Sequence, residues 1–416
     1  MKILYKMSYV FPTSKITKKV LFISIPIVLI GITFGLLWLH SIWGGPLQNI
    51  DLFKMLHPSV MMFTFLTLFI MGVSYTLVPT FWGYKSDPLY AFTTIALLLL
   101  GEVMAIIFHV SQLNAVLGVL VSSIGLLAYA IYIITKVRLV NQVFYYSDLF
   151  ILISLITLIF ISFYRIYLSV LNGSPYILGD YLYDHLIISG FILPFIFGVS
   201  TRTMKFKFTY IDRDILGVSF YIYLIGNTYG IINLFFRIYE GLNILPLLYT
   251  LSAIFYGYSY NIFELSPGEE YARRMKIRDW IRYKFFTRHI SIAGMWLYLG
   301  YILLIIYVFY GSIGSSTSLL LWDASLHSIT IGFIGNFIVA YGGIMLPPII
   351  LRRASYKSLG YHTYLLLNTA LILRVAIDIF PIPRHPILSM IHYILILLAI
   401  GSFIYMMRNL FIEESK

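Results

Sequence analysis

Three histidines carry the first chemical signal in this chain. The segments that begin at them read HPSVMMFTFLTLFIMG from His57, HLIISGFILPFIFG from His185 and HSITIGFIGNFIVAYGG from His327. A phenylalanine follows each histidine by six residues (Phe63, Phe191, Phe333), and a glycine lies further along each segment (Gly72, Gly198, Gly342). An ionisable group inside an apolar helix is expensive and usually marks a function. Neutral imidazole is the commonest metal ligand and a usual axial ligand of haem iron. His57 and His327 are therefore read as ligands of a metal or haem iron. For His185, ligation and packing stay open.

The remaining histidines read differently, because a lone histidine in a helix is more often a hydrogen-bonded core residue. His40, His109, His385 and His392 are taken that way, as are His289 and His362 beside basic loops. Asp323 stands four residues before His327, one helical turn away on the same face. It can accept the second imidazole N–H of a ligating histidine or cap a helix; the cap is the expectation. Asp184 adjoins His185 in sequence and faces elsewhere.

A charged group recurs beyond each histidine: Glu102 after 45 residues, Arg237 after 52 and Arg374 after 47, so the first repeat departs in sign. Arg165, in FISFYRIYL, is a further arginine of the same kind. Arginine pairs with carboxylates bidentately and stays charged, so Arg374 and Arg237 are candidates for the propionates of a haem. Snorkelling to headgroups is the alternative.

These residues need helices to hold them, and the composition supplies helices of one kind. Of 416 residues 60% are apolar and 11% charged, with mean hydropathy +0.88. A soluble domain has about 45–50% and about 25%, so a soluble globular enzyme is excluded. The apolar runs are continuous rather than alternating, which excludes a β-barrel. Twelve candidate spans lie at about 19–41, 57–80, 89–110, 114–135, 148–170, 181–202, 213–236, 244–264, 290–311, 320–347, 361–380 and 386–408. The run from Val20 lacks a small-residue cleavage site and is expected to be a retained span rather than a signal peptide. Cysteine is absent, so disulfides, thiolate metal sites and iron–sulfur clusters are excluded.

Lys and Arg outnumber Asp and Glu by 29 to 17. In this setting the excess follows the positive-inside rule rather than nucleic-acid binding. With the N-terminus inside, 24 of the 29 basic residues fall on the inner side. Only Lys54, Arg165, Arg237, Arg374 and Arg384 fall outside or at outer helix ends. Both termini are thus expected in the cytoplasm, in a multi-pass protein of the cell membrane. The polar stretch 265–289 is expected to lie as a basic amphipathic segment on the membrane surface.

The histidine segments open spans two, six and ten, so the repeat period is four helices. Repeats at roughly 19–135, 148–264 and 290–408 predict an all-α bundle, pseudo-threefold, of three four-helix units within one transmembrane domain.

This pattern resembles the catalytic subunit of the haem–copper oxidase superfamily. HPSVMMFTFLTLFIMGVSYTLVPTFWG is similar to the second span of its C-type oxidase and nitric-oxide-reductase members. LHSITIGFIGNFIVAYGGIMLPP and the single histidine of span ten are closer to the shortened NnrS-like branch. The resemblance implies His57 and His327 as axial ligands of a low-spin haem b, with His185 at the position that holds copper or iron. It implies a protein handling electrons or a diatomic gas such as nitric oxide near the outer face, with membrane lipid and a respiratory-chain redox partner. Span seven, DILGVSFYIYLIGNTYGIINLFF, carries no histidine pair, and span ten lacks a His-x-His arrangement. A complete dioxygen-reducing centre is therefore not expected. Two other readings remain at this point: a non-catalytic haem or anchor subunit of a respiratory complex, and a secondary transporter with midplane ionisable groups.

Overall fold

The computed structural model describes residues 14–42, 50–111, 114–137, 145–173, 181–204, 211–236, 244–265, 273, 276–312, 318–350, 358–380 and 386–408. All regular structure among them is helical, as it must be where no water is at hand to satisfy backbone groups. Among the described residues, eleven helices are long and apolar enough to cross a membrane, and the chain is a multi-pass membrane protein. The residues group into two units, 1–199 and 200–416.

In the first unit α1 (Ser14–Ile42) leads to span two, which has three parts: α2 (Ile50–Pro58), a π-helical segment π1 (Ser59–Leu66) and α3 (Thr67–Trp82). Gly83 ends α3 in the left-handed region at φ 68°, a conformation open to glycine without strain. Asp87 caps α4 (Pro88–Val110), its carboxylate accepting from the Leu89 N–H at 2.9 Å with Pro88 at the first position. Next come α5 (Val116–Thr135) and α6 (Tyr145–Asn172). Span six repeats the three-part plan as α7 (Tyr181–His185), π2 (Leu186–Ile192) and α8 (Leu193–Met204).

Within this unit α4 and α5 touch backbone to backbone. A Cβ on Gly101 would lie 2.2 Å from the Ser122 nitrogen, and one on Gly118 2.3 Å from the Ala105 nitrogen. Gly101→Val must push the helices apart, and overpacking of this kind costs about 1–3 kcal/mol. We expect a lower thermal unfolding temperature in detergent. Gly401→Ala, where an added Cβ meets nothing within 4 Å, should instead stabilise by about 0.5–1 kcal/mol. Equal effects at the two glycines would contradict the packing argument.

The second unit holds α9 (Arg213–Phe236), α10 (Ile244–Tyr260), α11 (Ile277–Ser312), then α12 (Ser318–His327), π3 (Ser328–Gly335) and α13 (Asn336–Ile350), and last α14 (Ser358–Ile379) and α15 (Pro386–Met407). With 17 residues, α10 sits at the lower limit of what crosses a bilayer, and it is shorter than the expected 244–264. Ser219 and Ser252 tie it to α9 by reciprocal hydroxyl-to-carbonyl bonds of 2.8 Å.

α11 corrects one expectation. The basic stretch does not lie apart from span nine; from Ile277 onward it is the first part of the same 36-residue helix. No glycine or proline interrupts the sequence between Ile277 and Gly294, so nothing forces a break there. At 1.5 Å per residue the helix is roughly 54 Å long, well beyond a hydrocarbon core of about 30 Å. Residues 266–272 and 274–275 of that stretch lie outside the described residues.

Candidate functional site

The sequence repeat has a structural counterpart. His57 lies two residues before a π-helix, and His185 and His327 directly precede one. Phe63, Phe191 and Phe333 fall inside those three segments, all of them buried. A π-helix holds one more residue per turn than its neighbours and is found mostly at functional sites. Each is supported by a side chain bonded to a helix carbonyl. Thr67 donates to the Met62 oxygen at 2.7 Å, Ser154 of α6 to Phe191 at 2.7 Å, and Asn336 to Gly332 at 2.7 Å.

Two of the three repeat histidines are oriented in the same way. The His57 Nδ1 is 2.8 Å from the Gly31 carbonyl oxygen of α1. The His327 Nδ1 is 2.9 Å from the Asp323 carbonyl oxygen one turn before it. A carbonyl only accepts, so Nδ1 carries the proton and the lone pair of the neutral ring sits on Nε2. That is the tautomer a ligating imidazole needs. The ring of His57 also lies where a side chain at residue 35 would go: a Cβ on Gly35 would come 2.7 Å from its Nδ1 and Cε1. His185 is buried at the start of π2.

Asp323 is the second correction. It is the sixth residue of α12, past any cap position. Its carboxylate bonds Arg374 of α14 and lies 3.4 Å from the His327 Nδ1. Arg374 reaches Asp378 as well, at 3.2 Å. One buried guanidinium thus joins two carboxylates beside His327. His392 on α15 donates from Nδ1 to the Ala370 carbonyl at 2.9 Å.

Arg165 is buried rather than at a helix end in lipid or water. It forms a fork with Glu102, at 2.5 and 2.9 Å, with the Ser122 hydroxyl at 3.3 Å. The sign change of the first repeat is thereby explained: Glu102 is the partner of Arg165. His289 is a hydrogen-bonded core histidine, as expected, with Nδ1 2.7 Å from Asn336 Oδ1. Asn336 in turn meets Asn368, whose Oδ1 accepts from Trp296 at 2.8 Å. Arg237 and His385 lie outside the described residues.

Twelve per cent sequence identity hides a wide structural likeness. A solved chain described as a haem–copper terminal oxidase dimer aligns over 97% of this chain and 85% of its own, with a TM-score of 0.66. The fold is that of a haem–copper oxidase. Residues 273–407 match a family described as a domain of unknown function, DUF8744; the match opens just before α11 and closes with α15. No curated protein matches the sequence.

Against this fold, a set of buried hydroxyls stands out that the sequence reading passed over. In the second unit Tyr256 bonds Ser200, and Tyr260 bonds Thr201. The two tyrosines are four residues apart on α10 and lie 4.8 Å from one another by ring centroids. The available signal was that i, i+4 spacing, with Ser-Thr side by side at the end of span six. It was lost among 35 tyrosines.

Proposed function

We propose that this chain is a haem-b protein of the cell membrane, of the shortened NnrS-like kind within the haem–copper oxidase fold. It handles electrons or nitric oxide near the outer face. The observation that carries the reading is the shared state of His57 and His327. In spans two and ten each stands beside the start of a π-helix, with its Nδ1–H tied to a backbone carbonyl, which fixes the tautomer a ligating imidazole needs.

The donor set fits the group. Two neutral imidazoles satisfy a low-spin iron, and ligation offsets the cost of burying them. His57 and His327 would hold the haem iron, Arg374 and Arg237 would pair with the haem's carboxylates, and His185 would be a ligand to copper or to a second iron. Haem, when bound, supplies one-electron transfer or a place for a diatomic gas. The chain's own work is orientation: Gly31 and Asp323 fix the tautomers, and the Asp323–Arg374–Asp378 group sets the charge beside His327. Both termini stay in the cytoplasm by the distribution of basic residues, and a respiratory-chain partner supplies or removes electrons.

A reduced-minus-oxidised optical spectrum of the purified protein, with metal analysis, tests the reading. We expect a b-type α-band and iron in the preparation, with a spectral change on adding nitric oxide that is lost in His185→Ala. A folded preparation without haem would end the proposal. A further expectation concerns dioxygen. Spans seven and ten lack the additional histidines of a binuclear centre, so the isolated chain should show no rapid cyanide-sensitive oxygen uptake at an oxygen electrode. Fast uptake would contradict it.

A further inference from the structure

The Glu102–Arg165 pair is a buried ionic group to which the haem proposal gives no role. Its residues come from three neighbouring helices: Glu102 on α4, Ser122 on α5 and Arg165 on α6. Sealing two charges among apolar helices costs desolvation that their attraction does not reliably return. Stability alone therefore gives no account of it, and its surroundings do. The Arg165 guanidinium carbon sits 4.0 Å over the ring of Phe63 in π1. Phe63 also stacks with Tyr183 at 6.0 Å and an interplanar angle of 27°. Tyr183 is two residues before His185, and Tyr164, next to Arg165, meets it at 5.5 Å.

The position of Phe63 matters because of the helix type. A π-helical turn absorbs one extra residue. If that turn relaxed to α-helix, everything on its N-terminal side would rotate by one residue, about 100°. His57 lies on that side. Such a rotation would carry its ring away from the Gly31 carbonyl and from the space beside Gly35. A side chain gripped inside π1 therefore selects the register, and with it where His57 points.

We propose that Arg165, held rigid by Glu102, is a positioning residue: its cation–π contact with Phe63 keeps π1 in register and so fixes the direction of His57. The contact suits the role. Guanidinium stacks flat on an aromatic face while its fork keeps both N–H pairs on the carboxylate. This inference rests on the reading of His57 as a haem ligand.

The test combines variants with two readouts. The double variant Glu102→Leu/Arg165→Leu removes the pair without leaving one buried charge alone. Phe63→Leu removes only the ring, and decides the matter if the double variant does not fold. Arg165→Lys keeps the charge and loses the fork. Hydrogen–deuterium exchange over residues 57–67 reads the register without any haem. Electron paramagnetic resonance of the ferric protein reads the orientation of the axial imidazole. In the double variant and in Phe63→Leu we expect at least tenfold faster exchange over that segment and shifted low-spin g-values. Arg165→Lys should restore part of both. Unchanged exchange in both ring- and charge-deleted proteins would overturn the inference. Wild-type protein without haem would overturn the functional reading instead, and the exchange data would still decide the role of Arg165.

Discussion

His57→Ala and His327→Ala should each abolish the low-spin haem spectrum, with the largest loss of haem of any single substitutions in the chain. Changing a residue that merely orients a metal ligand costs about 10–100-fold in affinity, and removing the ligand itself costs at least as much. The two histidines share a tautomer fixed by a carbonyl, so their losses should look alike in the optical spectrum. His289→Ala is the control. That ring is buried more deeply than the other two, and its Nδ1 serves Asn336. Its removal takes one of two donors from the buried Asn336 oxygen, which keeps Asn368 at 3.3 Å; the loss of one hydrogen bond is worth about 0.5–1.5 kcal/mol of stability, with the spectrum unchanged. Gly35→Ala offers a graded version, because the added carbon would stand 2.7 Å from the His57 ring. It should shift the low-spin signal without removing a ligand. If either histidine variant kept a wild-type spectrum, that residue would not be an axial ligand.

Much of the fold was legible because a bilayer leaves so few solutions. Apolar runs of about 20 residues must be helices there, and the limits of spans three, seven and twelve agree with α4, α9 and α15 within a few residues. The histidine repeat was legible too, since its residues recur at fixed offsets. Its structural form was not. An extra residue in a turn leaves no mark on composition, so the π-helices at His57, His185 and His327 could not be read from HPSV, HLII or HSIT. Side-chain pairing was the other gap. Glu102 and Arg165 are 63 residues apart and look like two lone charges until α4, α5 and α6 pack. Asp323 before His327 admitted two roles, and the decision came from Arg374, 51 residues further on. The basic run before span nine misled for a different reason: its charges suggested an interfacial helix, whereas the absence of any breaker let one helix run through.

Arg374→Gln should be among the most damaging changes in the second unit. The guanidinium is buried with two carboxylates, Asp323 and, at 3.2 Å, Asp378. Removing one partner from a buried ionic group costs about 3–5 kcal/mol, because the remaining charge has neither water nor a counterion. Here two like charges would be left side by side. We expect a clear drop in the unfolding temperature in detergent. Arg374→Lys should recover only part of it, since an ammonium is a point charge and does not span two carboxylates as a planar fork does. The haem readout has a definite sign. Taking away a positive charge near the iron favours the more positive, ferric state, so the midpoint potential should fall. Asp323→Asn does the reverse to the local charge and also loosens the residue beside the His327 Nδ1; its potential should rise and its low-spin signal broaden. Snorkelling predicts something else: an arginine spread toward headgroups can be replaced by glutamine at little cost in stability and none in potential. Unchanged unfolding and unchanged potential in Arg374→Gln would therefore favour the lipid contact over the clamp on Asp323 and Asp378.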